Sequence, residues 1–153
     1  MGYSLVPHVS GIAGLNHSRN ECVNDNVTGA IWEGKLADNS FRDYRRTYTN
    51  YGDGRTGDAS AYVAAVNAAW LCGRNDWRLP TVDELETLVD AGKAAGPLIN
   101  ADWFINTSAY CYWPASPYIG DTYYVWFVDF LLGGVSLDYH VSSGAVRLVR
   151  ASH

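Results

Sequence analysis

Residues 72–85 read Cys-Gly-Arg-Asn-Asp-Trp-Arg-Leu-Pro-Thr-Val-Asp-Glu-Leu. Within them Thr81-Val82-Asp83-Glu84 has the form of a capping box. The Thr81 hydroxyl can accept the Glu84 backbone N–H while the Glu84 carboxylate accepts the N–H of Thr81. Pro80 precedes the box, and Leu85, Leu88 and Val89 supply the apolar stripe of a short helix expected to end near Gly92. Asp83 and Glu84 could be read as a catalytic carboxylate pair. Acids in a first helical turn are routine, however, because they face the positive end of the helix dipole. Just upstream, Trp77 and Leu79 are expected to plug the core. Arg78 between them is expected to be buried or half-buried, its planar donors holding carbonyls or a carboxylate. Arg147 or Arg150 is expected to do the same near the end of the chain.

On the N-terminal side, residues 58–72 carry helical spacing at Tyr62, Val63, Val66, Ala69 and Trp70. Asp58 or Ser60 can cap that helix, and Gly73 stands where a left-handed C-cap belongs. Residues 36–55 are polar and rich in Gly, Asp and Asn, which predicts a long surface loop with one short strand around 47–51. Tyr44, Tyr48 and Tyr51 in that loop suit either loop packing or a second contact surface. Residues 23–33 read as a turn at 26–29 followed by a short strand through Ala30, Ile31 and Trp32. Residues 1–20 show no clear period and read as a loose lead-in.

Beyond Asn106 the pattern changes to strands, at 110–113, 123–130, 134–139 and 145–149. Gly133-Gly134 fits a hairpin turn, and Ser142-Ser143-Gly144 can serve the next one. Helices early and hairpins late indicate an α+β domain. The expected organisation is a lead-in over 1–21, one domain over 22–150 and a short tail over 151–153.

Composition excludes several classes. A net charge of −5, with no basic cluster longer than Arg45-Arg46, argues against a nucleic-acid partner. The longest apolar run, 123–128, falls far short of the roughly 20 residues a membrane helix needs, so no direct membrane insertion is expected. Residues 1–15 lack Lys and Arg ahead of a short, broken apolar run and do not read as a signal peptide. Export by another route, as for a virion part, or a leader preceding residue 1 is then expected. Tyr 11 and Trp 6 are high for 153 residues. Both types fill cores, and both also favour recognition surfaces because they give large contact area for few rotatable bonds.

Three cysteines, Cys22, Cys72 and Cys111, leave an odd thiol over. Cys22–Cys72 is the preferred disulfide, with buried free thiols as the alternative. No Cys/His spacing suggests zinc, so neither metal nor cofactor is expected. Of the four histidines, His8 and His17 lie in the lead-in and His153 is the last residue. His140, flanked by Asp138 and Asp129, is too little for a nucleophile–base–oxyanion assembly, and no enzyme activity is expected.

The stretch from Cys72 to Thr81, followed by Glu84-Leu85, resembles the signature of the Lcl C-terminal domain family, named for a bacterial collagen-like adhesin. The resemblance extends through Val23-Asn24-Asp25-Asn26-Val27-Thr28-Gly29 with Trp32, then Ala64-Ala65-Val66-Asn67 and Tyr112-Trp113. It continues in Ser116-Pro117-Tyr118, Val128-Asp129-Phe130 and Val146-Arg147-Leu148-Val149-Arg150, and so covers about residues 22–150. It implies a C-type-lectin-like fold, related in shape to formylglycine-generating enzymes and to the variable proteins of diversity-generating retroelements. It also implies a surface-exposed binding module on a cell or virion, with a protein or glycan ligand and, as in some relatives, a homotrimer. The calcium-binding Glu-Pro-Asn and Gln-Pro-Asp tripeptides of familiar lectins are absent.

The chain departs from that family pattern at Pro114-Ala115-Ser116, at Leu131-Leu132 and through Leu137-Asp138-Tyr139-His140-Val141, where small polar residues are usual. Leucines beside a Gly-Gly turn are odd at a normally wet hairpin tip. They suit either a binding site or packing under a neighbouring loop or subunit. Beyond Lys93 the chain has no Lys, Glu, Gln or Met. Randomising the first two bases of Asn codons ending in C could never produce those residues or Trp, and every residue of 131–145 belongs to the permitted set. A diversified recognition surface is therefore expected at Tyr118, Ile119, Asp121, Tyr123, Tyr124, Phe127, Leu131, Leu132, Leu137, Asp138, Tyr139 and His140. Trp77, Arg78, Leu79, Pro80, Thr81, Glu84 and Arg147 are the expected scaffold.

Overall fold

The computed structural model describes residues 2–7, 16–90, 92–115, 124–131, 133–139 and 143–151, with backbone alone at 124–126 and 136–139. Four strands form the first sheet: β1 (Tyr3–Leu5), β2 (Cys22–Asp25), β3 (Ala30–Glu33) and, from the far end of the chain, β7 (Val149–Ala151). They lie in the order β1-β2-β3-β7, each pair antiparallel. The second sheet is β4 (Cys111–Tyr112), β5 (Tyr124–Asp129) and β6 (Val135–Tyr139), also antiparallel. Among the described residues, two α-helices, α1 (Ala59–Ala68) and α2 (Val82–Glu86), complete an α+β architecture.

Strand alternation divides the interior in two. Cys22, Ile31, Trp113, Val146 and Leu148 face one cluster with Tyr62, Val66, Leu71 and Trp77. Their neighbours Val23, Trp32, Tyr112, Ala145 and Val149 face a second, with Leu85, Leu88, Phe104, Val128 and Phe130. A period of two along each strand sends successive side chains to opposite faces, so one frame of backbone serves both clusters. The disulfide Cys22–Cys72 ties β2 to the turn after α1, and Cys111 is buried outside that bond.

Several elements differ from the sequence expectation. The supposed lead-in contributes β1, paired through Tyr3↔Asp25 and Leu5↔Val23, and β2 precedes the expected turn. Helix α1 is capped by Asp58 as expected but stops at Ala68. Trp70 takes the left-handed position at φ 52°, and Gly73 follows one turn later, in the 3-10 turn Leu71–Gly73. Ala69 and Trp70 therefore leave the apolar stripe, and Trp70 is exposed. Helix α2 has its complete capping box but ends at Glu86, well before Gly92. The expected strand at 145–149 resolves into an isolated bridge at Ala145 and β7. The strand at 47–51 is only bridges at Tyr48 and Thr49.

Candidate recognition surface

The β5–β6 hairpin is organised by Asp129. Its backbone N–H donates to Gly134 O at 2.8 Å, its carbonyl accepts the Gly133 N–H at 2.7 Å and its Oδ1 accepts the Leu131 N–H at 2.8 Å. Gly133 closes the turn at φ 82°, a conformation that a side chain would oppose. Around this turn the anchors are buried: Val128 and Phe130 belong to the second core, and Phe130 meets Tyr112 edge-on at 5.1 Å. The backbone of Phe130 is held from both sides, its N–H donating to Tyr110 O (3.0 Å) and its carbonyl accepting the Leu98 N–H (2.7 Å). Leu131 itself is 52% exposed. A buried Phe and an exposed Leu are thus adjacent on one fixed turn.

The segments flanking the hairpin also start from fixed points. Ala115 N–H donates to Pro80 O at 2.6 Å, so the chain leaves for 116–123 from the Trp77–Thr81 stretch. Trp113 Nε1 donates to Tyr48 O, also at 2.6 Å. Tyr48 and Gly144 exchange both backbone hydrogen bonds, at 2.8 and 2.9 Å, which pins the return from β6. Gly144 lies against the Trp113 ring so closely that an added Cβ would stand 2.7 Å from it. No residue but glycine fits there without moving the indole.

The expected contact residues fall into three groups. Tyr118, Ile119, Asp121, Tyr123, Leu132 and His140 lie outside the described residues. Tyr124, Leu137, Asp138 and Tyr139 are placed by register: Tyr124↔Tyr139 and Trp126↔Leu137 alternate with Val125↔Asp138 and Phe127↔Ser136. Alternate pairs share a face, so the register splits the set between the two sides of the ribbon. Phe127 packs against the first core and meets Trp113 edge-on at 6.5 Å, which commits it to the scaffold. Leu131 stands out on the turn.

The expected scaffold residues form a connected set. Trp77 is 2% exposed, and its Nε1 donates to Leu71 O at 2.9 Å. Asn67 clasps the Trp77 backbone from both sides, accepting its N–H at 2.8 Å and donating to its carbonyl at 2.9 Å. Leu79 is partly buried against the same core, and Pro80 is buried. Arg78 is about half exposed, and its guanidinium forks onto the Glu84 carboxylate at 2.7 and 2.8 Å. That pairing, together with the Thr81 N–H, holds the Glu84 carboxyl below its ordinary value. Arg147 is buried and donates to Glu33 O, Asn106 O and Thr107 Oγ1. Arg150 is buried too, but forks onto Asp76.

Sequence reading missed the polar centre. Glu33 is fully buried at the end of β3 and accepts from Lys35 Nζ, Arg42 Nε, the Tyr62 hydroxyl and the Leu148 N–H. Burial pushes its carboxyl up, but Lys35 and Arg42 outweigh this and leave it lowered. Burial pulls Lys35 down to about 8, with Arg147 and Arg42 adding to the effect and Glu33 opposing it. The only hint in the sequence is a charged residue following Trp32 at a strand position. Asp58 is the second such centre: it accepts from Thr49, Tyr51, Gly52 and Ser60. Burial pushes its carboxyl up, but those hydrogen bonds pull it down to about 2.

His17, Cys22 and Cys72 bring donor atoms within 4.8 Å of one another. The two sulfurs are bonded to each other, so neither is available as a thiolate ligand in this state.

A disulfide-tied α+β frame thus holds an apolar residue, Leu131, out on a turn next to the buried Phe130. Residues 21–150 match the model of the Lcl C-terminal domain family, and the chain belongs to that family, which fits a ligand-binding domain. A comparison with curated proteins gave no match. Among the described residues, no helix is long and apolar enough to cross a membrane.

Proposed function

We propose that this chain is a non-enzymatic ligand-binding protein with a C-type-lectin-like fold, whose β5–β6 hairpin and the 116–123 segment form a variable recognition surface. On this reading it is the variable protein of a diversity-generating retroelement, displayed on a cell or virion surface toward a protein or glycan. The supporting observation is the contrast at residues 130 and 131. Phe130 is sealed in the core and held by two backbone hydrogen bonds, while Leu131 faces outward. Such a frame lets outward residues change without repacking the interior, and Tyr or Leu anchors then dominate binding.

Two measurements test this. Sequencing the encoding locus should reveal a nearby template repeat differing at adenines and a reverse transcriptase; without them diversification fails as an explanation. Glycan and protein arrays should show a ligand that a Tyr123→Ala, Tyr139→Ala variant loses. Retention of binding by that variant would place recognition elsewhere. A ligand found without the retroelement would favour the alternative, an undiversified surface adhesin that binds polysaccharide.

A further inference from the structure

A cavity of about 210 Å³ lies away from the hairpin, between the β2–β3 turn, helix α2 and β7. Its lining includes Thr28, Trp32, Arg78, Glu84, Thr87 and Arg150. None of these belongs to β5, β6 or residues 116–123. Trp32 is 1% exposed, and its indole Nε1–H is buried without a hydrogen-bond partner among the described residues. A buried donor left unmade costs free energy, and native structures rarely tolerate one without a reason.

The lining is rich in donors. Arg78 spends its two terminal nitrogens on Glu84, and Arg150 spends Nε and Nη2 on Asp76. A guanidinium carries five N–H groups, so each fork retains donors beyond those bonds. The acid on the wall, Glu84, already accepts from both Arg78 nitrogens and from the Thr81 N–H. Thr28 Oγ1 likewise already accepts the Ala30 N–H, so these acceptors of the wall are engaged while guanidinium donors are left over. A carboxylate supplies two oxygens and a charge, and guanidinium forks are suited to it in shape.

We infer that this cavity is a binding site for a small carboxylate group, held by Arg78 and Arg150, with the Trp32 indole N–H completed on binding. The indole N–H is sealed from solvent, so completing it requires the lining to move as the carboxylate enters. The site stands independently of the hairpin's role.

The test uses the whole ¹⁵N-labelled chain and its six indole N–H resonances. Acetate is titrated at constant ionic strength, with acetamide as the uncharged match in shape. The resonance lost in Trp32→Phe identifies the reporter. Acetate should shift it saturably and acetamide should not. Arg78→Gln, which keeps the Thr81 cap on α2, should weaken acetate binding at least about tenfold. No saturable shift with acetate overturns the proposal, as does an equal response to acetamide. If Trp32→Phe does not fold, the Arg78→Gln comparison decides: all six indole resonances retained with unchanged acetate affinity would also overturn it.

Discussion

Glu33 and Leu148 exchange two hydrogen bonds across most of the chain. The Glu33 N–H donates to Leu148 O at 2.8 Å, and the Leu148 N–H donates to Glu33 Oε1 at 3.0 Å. One residue thereby joins the early sheet to the closing segment and also pairs with both buried cations, Lys35 and Arg42. Glu33→Gln keeps the shape and one acceptor but removes the charge. Two buried cations then lack their anion, an arrangement that costs about 3–5 kcal/mol when one partner of a buried pair is lost. Urea unfolding should show a midpoint far below wild type; an unchanged midpoint would mean that Lys35 and Arg42 are solvated after all.

Lys35 gives a pH signature. Its folded value of about 8 lies below its ordinary value of 10.5, so the unfolded chain holds the proton over that interval while the folded one does not. Stability should therefore rise with pH from about 8. Tyr48 acts oppositely at higher pH: burial pushes its hydroxyl up to about 12, so its contribution is lost as pH climbs above the ordinary value of 10.0. Unfolding curves at successive pH values should trace a rise and then a fall. Lys35→Met should abolish the rise and leave the fall; a rise that persists in this variant would assign it to some other group.

Asp58 works at the acid end. With its carboxyl held at about 2 in the folded chain, its contribution is complete above the ordinary value of 3.8 and drains away as pH falls toward 2. Asp58→Ala removes both the cap of α1 and the acceptor for the 51–52 backbone, and should cost about 2 kcal/mol at neutral pH, the upper end for a cap. The variant should lose less stability than wild type between pH 4 and 2, where about one carboxylate fewer is titrated. Parallel acid profiles would contradict the assignment.

The disulfide closes a loop of 50 residues. In the chain-entropy account, a loop of that length restricts the unfolded state by about 4 kcal/mol. Cys22→Ala with Cys72→Ala should lower stability by that order, and reduction of the wild type should lower it similarly. Insensitivity to reductant would show that the unfolded chain is compact enough to make the link redundant.

What could be read from the sequence was local. The Thr81–Glu84 box and the Asp58 cap depend on residues three positions apart or fewer, and Gly133-Gly134 marks its own turn. The family resemblance over 22–150 rested on an accumulation of such local pieces. What could not be read depended on distant partners. Tyr3-Ser4-Leu5 is too short to show a period, and its strand exists because residues 23–25 lie alongside. The end of α1 was masked by Gly73, the obvious cap, while Trp70 took the left-handed position. Glu33 looks like the polar edge of a strand, yet cations from positions 35 and 42 and a backbone from 148 make it a buried centre. The side of the ribbon on which each contact residue falls waited on the pairing register, which also placed Phe127 against Trp113.

The hairpin turn offers the sharpest test of a frame that tolerates change. Phe130 is 1% exposed, packs edge-on against Tyr112 and joins the second core, whereas Leu131 is 52% exposed. Phe130→Ala should cost about 3–5 kcal/mol through lost burial and an unfilled cavity. Leu131→Ser should stay within about 0.5 kcal/mol of wild type, as substitutions at exposed positions do. The Leu131 N–H still reaches Asp129 Oδ1 in that variant, because the bond uses the backbone. Thermal unfolding of the two variants side by side reads the contrast directly. Comparable losses at the two positions would mean that Leu131 is structural, and that the turn cannot vary freely on a fixed interior.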